Sequence, residues 1–414
     1  MDFYDIKLGD CLSMIENGAT IKQQKGSKGL PITRIETLSN NRFNRDRLGY
    51  ADIFDANKYS HYILDDKDIL MSHINSKAFL GRSVLYKRHG NEQIIHGMNV
   101  LRIKTKKDVL DQEYAYYYFQ TSFFKKNIHN IRKDAVNQSS INISDIKDII
   151  IQIPSLKDQK NIVTVLSNID CKIALNRQIN DNLEAMARQL YDYWFVQFDF
   201  PDENGRPYKS SGGKMVWNEK LKREMPEGWK ICPLSELLKI NDARRIPLSN
   251  KQRAERQCIY PYYGATGIMD YVDDFLFDED LLLLAEDGST SDGKGHPIVQ
   301  YIWGKNWVNN HAHILKPKYA GQLYYYYFVL KQIPVALIET GSIQKKISQQ
   351  NLLSYRVAVS PENLIQAFSN VANVLQEQRK KNFDEIDCLT KQRDELLPLL
   401  MNGQATVNYH LSDD

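Results

Sequence analysis

Cysteine, long apolar runs and catalytic signatures are what this chain has least of. Its five cysteines, Cys11, Cys171, Cys232, Cys258 and Cys388, form no CxxC pair and leave one over in any disulfide scheme, so the expected compartment is a reducing cytoplasm. The longest apolar stretches are of the size of Leu281 to Ala285, far below the roughly 20 residues that span a bilayer. The opening MDFYDIKLGD has no basic segment followed by an apolar one, so neither a secretory signal nor a membrane partner is expected. An excess of one charge is also lacking: 54 basic against 51 acidic residues leave a net +3, which by itself identifies no partner. A hydrophobic content of 42% and a charged content of 25% describe an ordinary folded protein, and 414 residues suffice for several domains with cores of their own.

Signatures of known chemistry fail on inspection. Gly288-Ser-Thr-Ser-Asp-Gly293-Lys294 has the GxxxxGK spacing of a phosphate loop. Gly295, however, stands where Ser or Thr should hold magnesium, and His296-Pro297 does not open a helix, so neither the amide cradle nor the dipole is in place. Pro261-Tyr262-Tyr263 lacks the preceding Asn and Pro of the motif that holds a flipped adenine, and no dinucleotide-type glycine fingerprint precedes it. His311 and His313 share one strand face with His296 nearby, but no Cys partner or HExxH helix completes a metal set, and polar packing suits them equally. No GxSxG elbow appears, and the carboxylates follow no nuclease pattern. The sequence points to a binding protein.

What is present is a long internal repeat. Ile141 to Pro154 and the helical run behind it recur in weakened form as Ile347 to Pro361 and the run to Leu400. The offset of 206 residues carries Gln138 onto Gln344, Ile151 onto Val357, Leu166 onto Ala372 and Asn176 onto Asn382. A period this long excludes a solenoid and implies two copies of one larger unit, the arrangement suited to a ligand with two ends. Early in each copy stands a basic cluster, Arg34, Arg42, Arg45 and Arg47 against Glu36 and Asp46 in one, and Arg244, Arg245, Lys251, Arg253 and Arg256 against Asp242 and Glu255 in the other; local charge of this kind suits phosphate contacts, and solvated loops carry it equally.

Coarse periodicity divides the chain into residues 1–154, 155–198, 199–228, 229–360, 361–402 and a frayed tail 403–414. The first and fourth segments carry short strand-like runs, Asp68 to Ser72, Ser83 to Tyr86, Val100 to Lys104, Asp280 to Ala285 and His313 to Pro317, with turns at Asn40-Asn41 and His89 to Asn91. Tyr114 to Phe124 reads as a helix capped by Asp111, and Tyr116 to Phe119 is answered by Tyr325 to Phe328. The second and fifth segments are long helices. Their seams alternate spacings of three and four, from Leu166 through Ile173, Asn176 and Ala187 to Trp194, and from Phe368 through Arg379, Asn382 and Arg393 to Leu400, which predicts helix-on-helix packing. Asn176 and Asn382 share one seam position, where a polar pair fixes register. The two arginines are expected to be exposed or to meet a partner protein. Asp199 to Trp229, rich in Pro, Gly and charge, reads as a surface linker.

This chain resembles the specificity subunit of type I restriction-modification enzymes over nearly its whole length. The strongest element runs from Ala185 to Gly213 and on through Lys220-Leu-Lys-Arg-Glu-Met-Pro-Glu-Gly-Trp229. Weaker matches are Tyr260 to Gly267, Glu286-Asp287-Gly288, Asn309 to Pro317 and Gly341 to Lys346. The N-terminal copy departs from the pattern, with no Pro-Glu-Gly-Trp before Lys7 and no counterpart of Tyr260 to Gly267. The resemblance implies an α+β protein: two mixed α/β target recognition domains, each reading half of a split asymmetric sequence in double-stranded DNA, separated by an antiparallel two-helix coiled coil with a pseudo-twofold repeat. The helices then act as a ruler, and changing their length changes the spacer but not the bases read, since one duplex turn rises about 34–36 Å.

The implied partners are two methyltransferase subunits, supplying S-adenosylmethionine chemistry, and restriction motor-nuclease subunits, supplying ATP- and Mg-dependent translocation and cleavage; this chain itself is expected to hold no cofactor, no metal and no catalytic residue. Arg34, Arg42, Asn44, Arg45 and His73 are the expected base readers of the first domain, and Arg253, Tyr263, Thr266, Asp287, Ser289 and Lys294 of the second. Gln344, Lys345 and Lys346 are expected on phosphate, and Trp194 and Phe195 at a docking surface for the methyltransferases. The rival readings are a coiled-coil scaffold that ignores DNA and a stand-alone DNA-modifying enzyme with unfamiliar motifs.

Overall fold

The computed structural model describes residues 1–21, 28–39, 42–134, 138–219, 222–256, 259–341 and 344–407; the expected turn at Asn40-Asn41, Cys258 and the last seven residues of the tail lie outside them. The chain divides into two compact units, Met1–Leu175 with Glu385–Asp414, and Asn176–Asp384. Each contains mixed α and β structure, so the fold is α+β.

Unit 1 is built on a four-stranded antiparallel sheet of β1 (Leu12–Asn17), β2 (Ile69–Ser72), β3 (Ser83–Leu85) and β4 (Val100–Thr105), in the order β1-β4-β2-β3. Unit 2 has β5 (Leu238–Ile240), β6 (Leu281–Ala285), β7 (Val299–Ile302) and β8 (Ala312–Pro317), in the order β5-β8-β6-β7. The two orders are the same. Ile69 to Met71 of β2 and all of β6 are apolar because both faces of each strand are covered. Ile69 and Met71 face the main core of unit 1 while Leu70 faces a smaller cluster, and in unit 2 Leu282 and Leu284 face the main core while Leu281 and Leu283 face the other side.

The tyrosine-rich segments form helices α1 (Gln112–Gln120) and α3 (Leu323–Lys331), which bury most of their rings against these sheets. Asp111 caps α1, accepting from the amides of Glu113 and Tyr114 at 2.9 and 3.0 Å. A second short helix, Ser122–Asn130, follows a new cap at Thr121.

Two long helices follow the repeats, α2 (Leu156–Tyr191, 36 residues) and α4 (Glu362–Met401, 40 residues). Every position named for either seam is buried or half-buried. The arginines in the second seam are neither exposed nor left for a partner protein. In unit 2 Arg379 meets Glu184 at 2.6 Å, and in unit 1 Arg393 meets Asp170 at 3.0 Å. The carboxylates lie on α2, far away in sequence, which is why the seam looked imperfect. Asn382 donates to Asn180 at 2.9 Å, one helical turn beyond Asn176, which is itself 2% exposed.

Two segments are more ordered than expected. In the presumed linker, Met215–Asn218 pairs with Arg223–Pro226, and Phe200 stacks on Tyr208 and Trp229 at centroid distances of 4.6 and 5.9 Å. These aromatic rings bring apolar area that Pro and Gly content conceals. In the tail, Ala405 and Val407 pack on the core of unit 1, so residues 403–407 are not frayed. Among the described residues no helix is long and apolar enough to cross a membrane.

Candidate nucleic-acid interface

Polar groups gather at one end of the sheet in unit 2. Ala285 of β6 stands opposite Ala312 of β8, and the pairing runs one step further, with the Glu286 amide donating to the His311 carbonyl at 2.8 Å. The same end carries a turn from Tyr263 to Ile268. Gln300 donates to the Gly264 and Ala265 carbonyls at 3.0 Å each, and the Asn309 amide donates to the Tyr263 carbonyl at 3.0 Å, so the turn is held from two strands. Strand Lys346–Ile347 closes the group, because the Ile347 amide donates to the Glu286 carbonyl at 2.8 Å. The four weaker sequence matches thus converge at one place, in their described parts.

Beneath these loops lies a charged network. His313 is 1% exposed, with Nδ1 2.6 Å from Asp242 and Nε2 2.8 Å from the Ile347 carbonyl. Both neighbours are acceptors, so both ring nitrogens donate and the imidazole is held as a cation. Burial opposes that charge, but the hydrogen bonds to Asp242 and Ile347 and the negative Asp242 and Glu286 outweigh it and raise the His313 pKa. Burial would also raise the two carboxyls, yet Asp242 is lowered by His313 and the Ile314 amide, and Glu286 by Arg245 and Lys346. Arg245 reaches Glu286 at 2.8 Å and Asp242 at 3.1 Å, and Lys346 reaches Glu286 at 3.0 Å.

Ligand atoms of Asp242, Glu286 and His313 lie within 4.8 Å of one another, close enough to hold a metal. Two cations already occupy these carboxylates and both histidine nitrogens donate, which is the chemistry of an ion-pair network rather than a metal centre. The trio considered from sequence does not assemble: His296 faces the Ile333 carbonyl at 3.3 Å instead. Gly288 to Lys294 leads to strand β7 and not to a helix, with Asp292 accepting from the Lys294 and His296 amides at 2.7 and 3.1 Å, so the phosphate-loop spacing is coincidental.

Of the residues singled out in unit 2, Thr266, Ser289, Lys294 and Gln344 are exposed and Tyr263 is half-buried. Asp287 bonds His311 at 2.6 Å, and Lys345 pairs with Glu339 at 2.6 Å. Arg253 is turned inward, bonded to Asp270 at 3.0 Å and the Leu248 carbonyl at 2.6 Å and stacked on Tyr262, which makes it a framework group and not a free base reader. Sequence reasoning missed Asp242, Arg245 and Gln300 as supports; Asp242 and Arg245 are three residues apart, but His313, Glu286 and the Gly264 turn that they and Gln300 hold lie tens of residues away.

In unit 1, Arg34 lines a cleft of about 310 Å³ with Glu36, Met98 and Asn99. Arg42 is exposed. Asn44 accepts from the Asp46 amide at 3.0 Å and caps the short turn Arg45–Arg47, a local duty. Arg45 is clamped by both oxygens of Glu92 and by the Lys87 carbonyl at 2.7 Å, with its guanidinium over Phe43 and Tyr86, and so belongs to the framework too. His73 is 5% exposed; burial lowers its pKa, and its Nδ1 has no partner among the described residues. It occupies the framework place of Glu286, since the Ile141 amide donates to the His73 carbonyl at 3.0 Å just as Ile347 does to Glu286. Phe195 is 5% exposed and packs on Tyr325 and Phe368, which removes it from any docking surface; Trp194 is half-buried, beside exposed Tyr193 and Val196.

The clamp on Arg45 carries a testable consequence. Its hydrogen bond brings the Glu92 carboxyl down to about 2, so the pair contributes fully above the ordinary value of 4.5 and is lost as pH falls below it. Glu92→Gln is expected to cost about 1.5–3 kcal/mol at pH 7. In denaturant unfolding the gap from the unaltered chain should close between pH 4.5 and pH 2.

Two mixed α/β units share one strand order, and polar loops gather at the sheet end in unit 2. The type I restriction modification DNA specificity domain matches residues 2–185 and 226–380, and the chain belongs to that family as a specificity subunit, the non-catalytic DNA-binding component of a type I restriction-modification enzyme. A Methanocaldococcus jannaschii protein assigned as the type I restriction enzyme MjaX specificity subunit is 29% identical over 421 residues, covering 97% of this chain and 93% of the relative. The MjaIX specificity subunit of the same organism is 26% identical over 321 residues, covering 73% and 71%. The crystal structure of a type I restriction-modification S subunit from M. genitalium shares the fold with a TM-score of 0.54 at 16% identity, over 96% of each chain.

Proposed function

We propose that this subunit recognises a bipartite, asymmetric target in double-stranded DNA, residues 1–154 reading one half and residues 229–360 the other. The helices over 155–198 and 361–402, with the 199–228 segment between them, act as an antiparallel coiled coil that sets the spacing. Two methyltransferase subunits, bringing S-adenosylmethionine, and restriction subunits, bringing ATP- and Mg-dependent cleavage, assemble on it in the cytoplasm.

One observation carries the reading: the two sheets repeat one strand order while the polar residues at their matching ends differ, His73 against Glu286 and Asn99 against His311. A common framework with different reading groups is what two unlike half-sites require. The helix pairing is supported within each unit. In unit 2, Asn180 and Glu184 face Asn382 and Arg379, and in unit 1, Asp170 and Lys172 face Arg393 and Glu385, so numbers rise on one helix as they fall on the other. Exposed Thr266, Ser289 and Lys294 suit base contacts and exposed Gln344 suits phosphate, a contact that fixes register without specifying sequence.

The test is to map adenines methylated by the complex reconstituted with both partner types. A split motif with one modified adenine on each strand is the expected result. An unsplit motif, or methylation or cleavage by this chain alone, overturns the reading.

A further inference from the structure

Unit 2 presents a histidine whose Nδ1 is held by a neighbouring carboxylate and whose outer edge is open. The backbone of His311 is tied on both sides, its carbonyl to the Glu286 amide at 2.8 Å and its amide to Asn309 Oδ1 at 2.8 Å. Its ring Nδ1 lies 2.6 Å from Asp287 Oδ1. A carboxylate only accepts, so Nδ1 donates to Asp287, and in that tautomer of the imidazole Nε2 offers a lone pair. Nε2 has no partner among the described residues, and the side chain is 45% exposed beside the exposed Thr266 turn. The cations near it are engaged: Arg245 by Asp242 and Glu286, and Lys346 by Glu286.

Resting on the reading of unit 2 as a DNA-reading domain, we propose that His311 is a specificity-determining residue, accepting through Nε2 a hydrogen bond from the exocyclic amino group of a cytosine or adenine, and that Asp287 is the positioning residue that sets its tautomer. In the major groove cytosine N4 and adenine N6 offer donors, whereas guanine O6 and thymine O4 offer only acceptors, which a fixed acceptor rejects. The matching place in unit 1, one residue before its own strand, holds Asn99, whose amide both donates and accepts. One position of the fold thus supplies unlike chemistry to the two halves.

The experiment uses the methyltransferase complex reconstituted with the full chain, read by methylation mapping over a randomised target library. The expected motif has cytosine or adenine fixed at one position of the half read by unit 2. His311→Ala relaxes that position alone, lowering discrimination by about tenfold to a hundredfold, while the other half is read unchanged, which also controls for folding. Asp287→Asn relaxes the same position, and Asp287→Glu restores it. An unchanged motif in His311→Ala, a fixed guanine or thymine at the position that responds, or equal loss of every position in both halves overturns the proposal. If the fold of His311→Ala fails, His311→Leu, which keeps most of the volume and offers no acceptor, takes its place with the same outcomes. A wild-type motif that is not split would overturn instead the bipartite reading on which the proposal rests.

Discussion

Arg102→Met is expected to destabilise unit 1 by about 3–5 kcal/mol, because it takes from a buried carboxylate its only buried counter-charge and leaves it the more distant Lys104 at 3.6 Å. Arg102 and Asp68 are each 2% exposed, and the guanidinium donates to Asp68 at 2.7 Å, to the His61 carbonyl at 2.9 Å and to Asp65 at 3.0 Å. One cation thus fastens the segment from His61 to Asp68 onto β4, next to Asn99. Burial raises the Asp68 pKa even with Arg102 and Lys104 opposing it, and without Arg102 the carboxyl takes up a proton or draws in water. Arg102→Met combined with Asp68→Leu removes both desolvated charges and is expected to recover most of the loss. Denaturant unfolding of the full chain, with hydrogen exchange read at Val100–Thr105, checks both. An unchanged midpoint in the single variant, or no recovery in the double, refutes this account of the pair.

Asp242→Ala is expected to cost a comparable 3–5 kcal/mol, about the penalty of orphaning a buried charge, and to free the strand that carries Lys346. Asp242 accepts from His313 and from the Ile314 amide at 2.8 Å, and from Gln349 at 2.7 Å. His313 in turn holds the Ile347 carbonyl, so one carboxylate supports both β8 and the neighbouring strand. The groups facing His313 are Asp242, Arg245, Glu286 and Lys346, and the net effect raises its pKa above 6.5. A raised folded value means that its contribution is complete below pH 6.5 and is lost as pH rises through that higher value. Exchange at the Ile347 amide should therefore quicken on the alkaline side, and reading of the half assigned to unit 2 should weaken there before the other half does. Asp242→Ala should remove that pH dependence. Equal sensitivity of both halves, or a variant as stable as the unaltered chain, would count against the network as a support.

Much of the architecture was legible in the residues. β2 and β6 announced themselves as apolar runs, and Asp111 marked the start of α1. The long seams survived in the sequence because helix packing repeats every few residues, a spacing any reader can see. The polar site was much less legible. Arg45 and Arg253 look like free arginines until Glu92, 47 residues away, and Asp270, 17 residues away, are brought to them. His313 and Asp242 are 71 residues apart, and no local pattern pairs them.

Taken alone, the sequence determined the duplication, the two long helices, the strand-rich units and the absence of recognisable catalytic motifs, since each rests on short-range periodicity or on motifs contiguous in the chain. Only the tertiary structure decided which charged side chains are tied into the framework and which keep an open edge, as His311 does. That decision depends on long-range approach of strands: a guanidinium or imidazole is available to a ligand only if the fold has not already brought it an acceptor.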